Sequence, residues 1–338
     1  MADVLVAMSG GVDSSVAAYL LKCRGYSVRG VYLMLSPESD PTAAEHAAKL
    51  AGIPFSVRDC RKSFSDRIMR RFSDEYLAGL TPNPCVFCNE SMKIPALIAE
   101  ADSLGCRTVA TGHYAGTAES GGRTVLRRSK NRSKDQSYML YRVSRDALSR
   151  LVFPIGDLDK NEVRRIALEA GIPSAAAKDS QDICFIPDGD YRGFLADFAG
   201  AVPVAGDYVY SDGRILGTHS GSWGFTVGQR RGIGIAWEHP LYVTGKDTSA
   251  NRVFLGSEAD LYSHTLTASD TVFAFPAESP FRCECRIRYS HSGSLCTVVP
   301  TGKNTVSVMF DTPQRAVTRG QSAVFYDGDI VLGGGYID

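Results

Sequence analysis

Five apolar residues near the start of the chain, Val4-Leu5-Val6-Ala7-Met8, run without a break into Ser9-Gly10-Gly11-Val12-Asp13-Ser14-Ser15 and then into an apolar, alanine-containing stretch. A short β-type run that turns through Ser and Gly into a helix gathers backbone N–H groups and the positive end of that helix at one point. This is how a chain holds phosphate. It also commits the region to an α/β layout, because such a turn lies beyond the carboxyl end of a strand whose crossover helix comes next. A serine-capped helix start reads the same in isolation; its place after the first strand favours a nucleotide site.

Two familiar phosphate loops are excluded by what is missing. The Walker pattern needs a Lys and a Ser/Thr at the end of a longer loop, and no such Lys is here. In the dinucleotide pattern the glycines are spaced, whereas Gly10 and Gly11 are adjacent and no third glycine opens the helix. What remains resembles the SGGxDS pyrophosphate loop of the N-type ATP pyrophosphatases, which cleave ATP to AMP and pyrophosphate while adenylating an oxygen on a substrate. The resemblance implies that Ser9, Ser14 and Ser15 add hydroxyl donors, that the glycines let backbone approach pyrophosphate, and that Asp13 helps hold Mg2+.

A chain of 338 residues, 44% hydrophobic, can bury a sizeable core and suggests two or three domains. Nothing at the N-terminus has the order of a signal peptide, and no apolar run is long enough to cross a bilayer, so a cytoplasmic protein without a membrane partner is expected. It is also expected to be a monomer. Lys plus Arg equals Asp plus Glu at 37 each, so any nucleic acid must be held by local patches. An odd count of nine irregularly spaced cysteines argues against a disulfide scaffold.

The fold class expected is α/β: an N-terminal doubly wound parallel sheet over residues 1–197, then a small central β-rich domain over 198–262 and a C-terminal β-barrel that binds tRNA over 263–338. In the first part, strands at Val4–Met8, Tyr26–Met34, Phe55–Cys60 and Arg107–Thr111 alternate with helices at Ser14–Arg24, Thr42–Leu50, Phe64–Leu80 and Ile94–Leu104. Helices at Lys160–Ala170 and Asp190–Phe198 follow. Beyond about Gly200 glycines accumulate among short alternating runs, including Asp207–Ser211, Leu241–Thr244, Thr305–Phe310 and Ala323–Tyr326, which suggests compact β modules.

Asn83-Pro84-Cys85-Val86-Phe87-Cys88-Asn89 sets two thiols three residues apart beside prolines that predict an exposed turn. Alone, the pair reads as half a zinc site, a redox pair or two incidental thiols; no second Cys-x-x-Cys or His-x-x-x-His accompanies it. A further thiol, Cys184, lies in Lys178-Asp179-Ser180-Gln181-Asp182-Ile183-Cys184-Phe185-Ile186, where polar residues give way to apolar ones. Cys23, Cys60, Cys106, Cys283, Cys285 and Cys296 sit in apolar or strand-like settings and read as packing.

SGGVDSS (9–15), TPNPCVFCN (81–89), ATGHYA (110–115), KDQSYMLY (134–141), KDSQDICFIP (178–187), FTVGQRRGIGI (225–235), and IRYSH with GQSAVFYDGD near the C-terminus occur in this order. Together they resemble the bacterial tRNA-specific 2-thiouridylases, from the first strand to the last. The resemblance implies conversion of the wobble uridine (position 34) of tRNA, those for Lys, Glu and Gln, to 2-thiouridine. ATP adenylates the C2 oxygen, and a persulfide sulfur, supplied by a cysteine desulfurase or sulfur-relay protein, then displaces AMP. By position Cys184 resembles the persulfide-bearing cysteine and Cys88 the nucleophilic thiol that completes sulfur release, and both are expected where cations or N–H groups lower the thiol pKa.

The same resemblance implies ATP contacts from Ala7, Met8, Ser9, Gly10, Gly11, Val12, Asp13 and Ser14, with Met34 on the adenine side and Gly112 after a parallel strand. It implies tRNA contacts from His113, from Lys134, Asp135 and Gln136, from Asn83, Pro84 and Cys85 at a flipped target base, and from Arg288, Tyr289 and Gln321. Arg123, Arg127, Arg128, Lys130, Arg132 and Lys134 read either as a solvated hairpin or, beside the KDQ segment, as a phosphate-binding strip. Two departures stand out. Well-known members carry Asp where Cys85 stands, which leaves open a three-cysteine ligand set of Cys85, Cys88 and Cys184 for an iron–sulfur cluster in place of the persulfide route; and the chain is short after Met34. The rival readings are another ATP pyrophosphatase acting on a different oxygen, and an RNA-binding protein that has lost catalysis.

Overall fold

The computed structural model describes residues 3–172 and 183–338, so the Lys178–Asp182 part of the Cys184 motif lies outside the described residues. The chain divides into two compact units, one of Met1–Ile68, Cys85–Phe185 and Asp327–Val331, the other of Met69–Pro84, Ile186–Tyr326 and Leu332–Asp338.

The first unit is built on a five-stranded parallel sheet of β1 (Val4–Ala7), β2 (Val28–Met34), β3 (Phe55–Asp59), β4 (Thr108–Ala110) and β7 (Leu151–Val152), in the order β3-β2-β1-β4-β7. Leu5 and Val6 are fully buried because β1 lies between two neighbours with both faces covered. One apolar cluster joins Val4, Val6 and Met8 to Ala18, Leu21, Ala44, Ala47 and Ala48. Another joins Val12, Val16 and Ala17 of the first helix (Val12–Cys23) to Val163 and Ala167 of the helix Lys160–Glu169. A hairpin of β5 (Ala115–Ser120) and β6 (Arg123–Arg128) completes this unit, with the Arg128 amide donating to the Asp329 carbonyl at 2.8 Å.

Two segments depart from the sequence expectation. The stretch expected as one helix from Phe64 is α-helical at Arg61–Phe64, π-helical at Ser65–Met69 and α-helical again at Arg70–Leu77. The expected exposed turn around Cys85 and Cys88 is a helix, Pro84–Cys88, followed by a π-helical turn at Asn89–Lys93 and then Ile94–Ser103. A proline at a first helical position loses nothing, since that N–H has no intrahelical partner. Val86 and Phe87, 0% and 1% exposed, turn one face inward and bury Cys88 with them.

In the second unit the helix Tyr191–Ala199 sets Tyr191 against Tyr76, with ring centroids 4.9 Å apart. A four-stranded sheet follows, with β8 (Gly206–Tyr210), β9 (Ile215–His219), β10 (Tyr242–Asp247) and β11 (Arg252–Gly256) in the order β10-β11-β8-β9. The remaining strands are β12 (Tyr262–Phe273), β13 (Phe281–Arg286), β14 (Ser294–Gly302), β15 (Thr305–Arg315), β16 (Ser322–Asp327) and β17 (Ile330–Ile337). They run in the order β12-β15-β14-β13-β16-β17, and β12 pairs with β17 to close a six-stranded barrel. Its interior is filled by Cys285, Cys296, Val298, Val308 and Phe325.

Candidate active site

The turn after β1 is held open from within. The Ser9 amide donates to Ser14 Oγ at 3.0 Å, the Ser9 and Ser14 hydroxyls lie 3.1 Å apart, and Ser14 and Ser15 each donate to the Gly11 carbonyl at 3.1 and 2.9 Å. Gly10 takes φ +81°, a conformation that favours glycine, and a Cβ there would stand 3.0 Å from Ala43 Cβ. Gly11 precedes the first helix and makes no side-chain capping hydrogen bond, so that helix start is not closed by a side chain, as an anion site requires. The loop lies beyond the carboxyl end of β1, which is flanked by β2 and β4.

Asp13, in the first turn of that helix, accepts from the Lys160 ammonium on both carboxylate oxygens at 2.8 Å and from the Tyr114 hydroxyl at 2.8 Å. Among the described residues its carboxylate is the acid at this loop that fits a magnesium-bearing nucleotide. Gly112, just past β4, is pressed onto the loop: a Cβ would lie 2.7 Å from the Ser14 nitrogen. Ala7 and Met34 end the neighbouring strands β1 and β2.

His113, the next residue, bonds Thr111 Oγ1 through Nδ1 at 2.9 Å. Burial, reinforced by the Lys93 charge, pulls its pKa down to about 3. Lys93 closes the π-helical turn that starts after Cys88, and its charge is felt by Cys85, Cys88 and Cys184 as well. These residues therefore share one neighbourhood, and Gly112–His113 is the dipeptide that links it to the phosphate loop.

Burial dominates the thiols. It pushes Cys88 up to about 11, against the pull of Lys93 and a hydrogen bond from the Lys93 amide. Cys85 is likewise raised by burial. Cys184 is exposed on one side, yet enough protein surrounds it to raise its thiol too, against Lys93 and the N–H groups of Cys184 and Phe185. The expectation of lowered thiols is thus corrected in direction: the cation and the donors are present, but desolvation outweighs them. For Lys93 itself burial opposes the charge, and the three thiols tip the balance so that its pKa is raised. Phe185 packs edge-on against Phe64, centroids 5.6 Å apart, and anchors the residue after Cys184. Among the described residues no group of three or more His, Cys, Asp or Glu is placed to hold a metal ion.

Asp135 of the KDQ segment is buried, and its carboxylate accepts from the Ser129 amide at 3.0 Å and from Ser137 Oγ at 2.9 Å. Gln136 Oε1 accepts from the Tyr114 amide at 2.9 Å. In the basic strip Arg127 and Lys130 pair with Asp157, and Arg132 pairs with Asp329. In the second unit Arg288 donates to the Arg315 carbonyl at 3.0 Å, Tyr289 offers its carbonyl to Arg286, and Gln321 Nε2 donates to the Thr81 carbonyl at 2.7 Å, two residues before Asn83. Sequence reading missed Lys93, Lys160 and Tyr114. Only Lys93 left a signal, a cation five residues after Cys88.

A parallel sheet with a Ser/Gly loop beyond its central strand, followed by a small β sheet and a closed barrel, defines a protein of the HUP-domain class with two β modules. Family models described as the tRNA methyl transferase HUP domain, the tRNA methyl transferase PRC-barrel domain and the aminomethyltransferase beta-barrel domain match residues 2–188, 192–257 and 263–337. The chain belongs to the tRNA-specific 2-thiouridylase family. It is 47% identical to the tRNA-specific 2-thiouridylase MnmA of Syntrophotalea carbinolica, covering 99% of this chain and 98% of that protein. It is 44% identical to the MnmA of Acidithiobacillus ferrooxidans, covering 100% and 99%. Among solved structures, a 4-thiouridine synthetase in complex with RNA and ATP is 19% identical over 59% of this chain and 50% of that one, with a TM-score of 0.40.

Proposed function

We propose that the chain is an ATP-dependent tRNA-uridine 2-sulfurtransferase that adenylates the C2 oxygen of the wobble uridine and then replaces that oxygen with sulfur carried on Cys184. The observation that carries this reading is the shared neighbourhood of Cys85, Cys88, Cys184 and Lys93, linked to the phosphate loop through Gly112 and His113 in one unit. A nucleotide loop alone would suit any adenylating enzyme; the thiols beside it call for sulfur chemistry.

In this scheme the loop N–H groups from Gly10 to Ser14 hold the phosphates, and Asp13 would hold Mg2+, which would supply charge neutralisation there. The uridine C2 oxygen attacks the α-phosphorus, the bond to pyrophosphate breaks with its electron pair, and N3 gives up its proton. Cys88, as thiolate, attacks the inner sulfur of a Cys184 persulfide, the Cys184 Sγ; a Cys88–Cys184 disulfide forms, the bond to the outer sulfur breaks with its electron pair, and hydrosulfide leaves. Hydrosulfide adds at C2, AMP departs, and a thiol reductant resets the disulfide. Lys93 is the cation beside every anionic sulfur in this sequence. The persulfide comes from a cysteine desulfurase or relay protein, and the tRNA set is that for Lys, Glu and Gln.

Asn83, Pro84 and Cys85 receive the flipped uridine; the Cys85 thiol, raised by burial, is neutral there, unlike a carboxylate. His113, Lys134, Gln136, Arg288, Tyr289 and Gln321 are proposed tRNA contacts, with Asp135 fixing the turn that presents its neighbours. The test is mass analysis of wobble nucleosides after incubation of full-length enzyme with unmodified tRNA, ATP and a persulfide donor. Cys184→Ser and Cys88→Ser should each abolish 2-thiouridine while leaving tRNA-dependent pyrophosphate release in place. Full thiolation by either variant would refute its assignment.

A further inference from the structure

Residues 225–233, Phe-Thr-Val-Gly-Gln-Arg-Arg-Gly-Ile, put two adjacent arginines, Arg230 and Arg231, into the small β module, where none of the RNA contacts proposed above lies. The loop that carries them is fixed from both sides. The Gly228 amide donates to the Val243 carbonyl at 2.8 Å and the Val243 amide to the Gln229 carbonyl at 2.9 Å, which seats the loop on the edge strand β10. From within, the Gln229 carboxamide spans the turn: Oε1 accepts from the Thr226 amide at 3.1 Å and Nε2 donates to the Arg231 carbonyl at 2.8 Å. Gly228 takes φ +87°, and a Cβ there would stand 2.9 Å from Ala316 Cβ, so the turn is pressed against its support. Ile233, 7% exposed, pins the far end in the apolar cluster of Val243 and Leu255. The backbone is held, yet both arginines are exposed. Among the described residues neither guanidinium has a hydrogen-bond, ion-pair or ring partner. Other arginines of the module are engaged: Arg214 meets Asp212 at 2.7 Å, and Arg192 donates to the Gly224 carbonyl while lying over the Phe225 ring. Gly232, the next residue, belongs to the wall of an open cavity of about 490 Å³ that Arg192, Thr218 and Ser220 also line.

We propose that the loop 226–232 is a further RNA site, at which Arg230 and Arg231 bind phosphates of the tRNA backbone. A guanidinium is a planar fork that meets a phosphate through two donors, and a loop already ordered by Gln229 loses little freedom when it does so. Charge decides for this surface. With 37 bases against 37 acids the chain has no net field to draw a polyanion, so unpaired cations on a fixed loop must do it. In the hairpin strip Arg127, Lys130 and Arg132 meet Asp157 and Asp329, whereas Arg230 and Arg231 meet no acid among the described residues. The cavity beside the loop gives the adjoining ribose, with its 2′-hydroxyl, a polar opening. The inference rests on the tRNA reading above and goes beyond it, adding a contact in a module to which that reading assigns none.

The experiment compares full-length wild type, Arg230→Gln, Arg231→Gln, the double variant and the same-module control Arg214→Gln. Binding of unmodified tRNA is titrated across salt concentrations, and thiolation is followed with tRNA varied. Each single variant should lower the slope of log affinity against log salt by roughly 0.7–0.9, and the double variant by roughly twice that, with affinity weakened on the order of tenfold near 0.1 M salt. The KM for tRNA should rise while kcat holds. Arg214→Gln, whose charge Asp212 already meets, should match wild type. A double variant with the wild-type slope overturns the proposal. So does lost thiolation at an unchanged slope, which would hand the loop to a protein partner. Phenylglyoxal labelling of wild type, read by mass spectrometry, tests the same point without any variant: bound tRNA should protect Arg230 and Arg231, and equal labelling with and without tRNA overturns the assignment. Wild type that binds tRNA but forms no 2-thiouridine would sink the thiolation reading, while the salt slopes would still judge the loop.

Discussion

At the scale of single residues, the site is defined by contacts too close to loosen. A methyl group at Gly112 would meet the Ser14 nitrogen at 2.7 Å and the Asp13 carbonyl carbon at 2.9 Å, backbone atoms that cannot step aside alone. Gly112→Ala is therefore expected to displace the loop, costing about 1–3 kcal/mol in urea denaturation and weakening ATP binding in calorimetry. His113 binds no proton in the folded state until about pH 3, while unfolded it takes one near its ordinary value of 6.5. Its depressed pKa therefore costs nothing above pH 6.5 and removes stability progressively as pH falls from there towards 3. His113→Gln should flatten the fall in melting temperature over that window, and a fall as steep as wild type would show that His113 is not its source. Cys88, held up to about 11, should be alkylated slowly at neutral pH and faster as pH rises towards that value. Lys93→Met should move the midpoint of that rise upward, as read by mass spectrometry of the labelled peptide.

Between residues and the whole molecule stand the elements, and here the sequence was legible wherever one periodicity ruled. Thr42–Leu50 carries alanines on its inward face and appears as read, and β1 to β4 fall within a few residues of expectation because turn residues bracket each apolar run. The Cys-x-x-Cys segment was misread because prolines speak for turns, whereas a proline opening a helix is equally at home and the buried Val86 and Phe87 decide the matter. The π-helical turns at Ser65–Met69 and Asn89–Lys93 leave no mark in sequence, since an extra residue per turn changes no composition. Lys93 is the clearest loss. In a regular α-helix a residue five positions on lies about 140° around the axis, so only the π turn, with its i→i+5 geometry, brings Lys93 to Cys88. The helix Lys160–Glu169 carries a test of its own: Asp159→Ala removes the two hydrogen bonds that the Asn161 and Glu162 amides donate to its carboxylate and should cost about 1 kcal/mol in denaturant titrations.

For the molecule as a whole, equal numbers of acids and bases make RNA binding a matter of placement. Arg127, Lys130 and Arg132 of the basic strip are partly engaged with Asp157 and Asp329, which a count of cations could not reveal. Each of Lys130→Gln and Lys134→Gln is expected to reduce the slope of log affinity for tRNA against log salt by roughly 0.7–0.9; unchanged slopes in filter-binding titrations would remove the strip from the RNA surface. The α/β sheet and the closed barrel were readable because strand alternation and glycine content shift along the chain. The link between phosphate loop and thiols was not, because it is made by residues far apart in sequence. That link, Gly112–His113, is a single peptide step. Its brevity has an evolutionary side: in the proposed scheme a substitution here would act on nucleotide activation and sulfur delivery together, so the two half-reactions would form one pleiotropic locus.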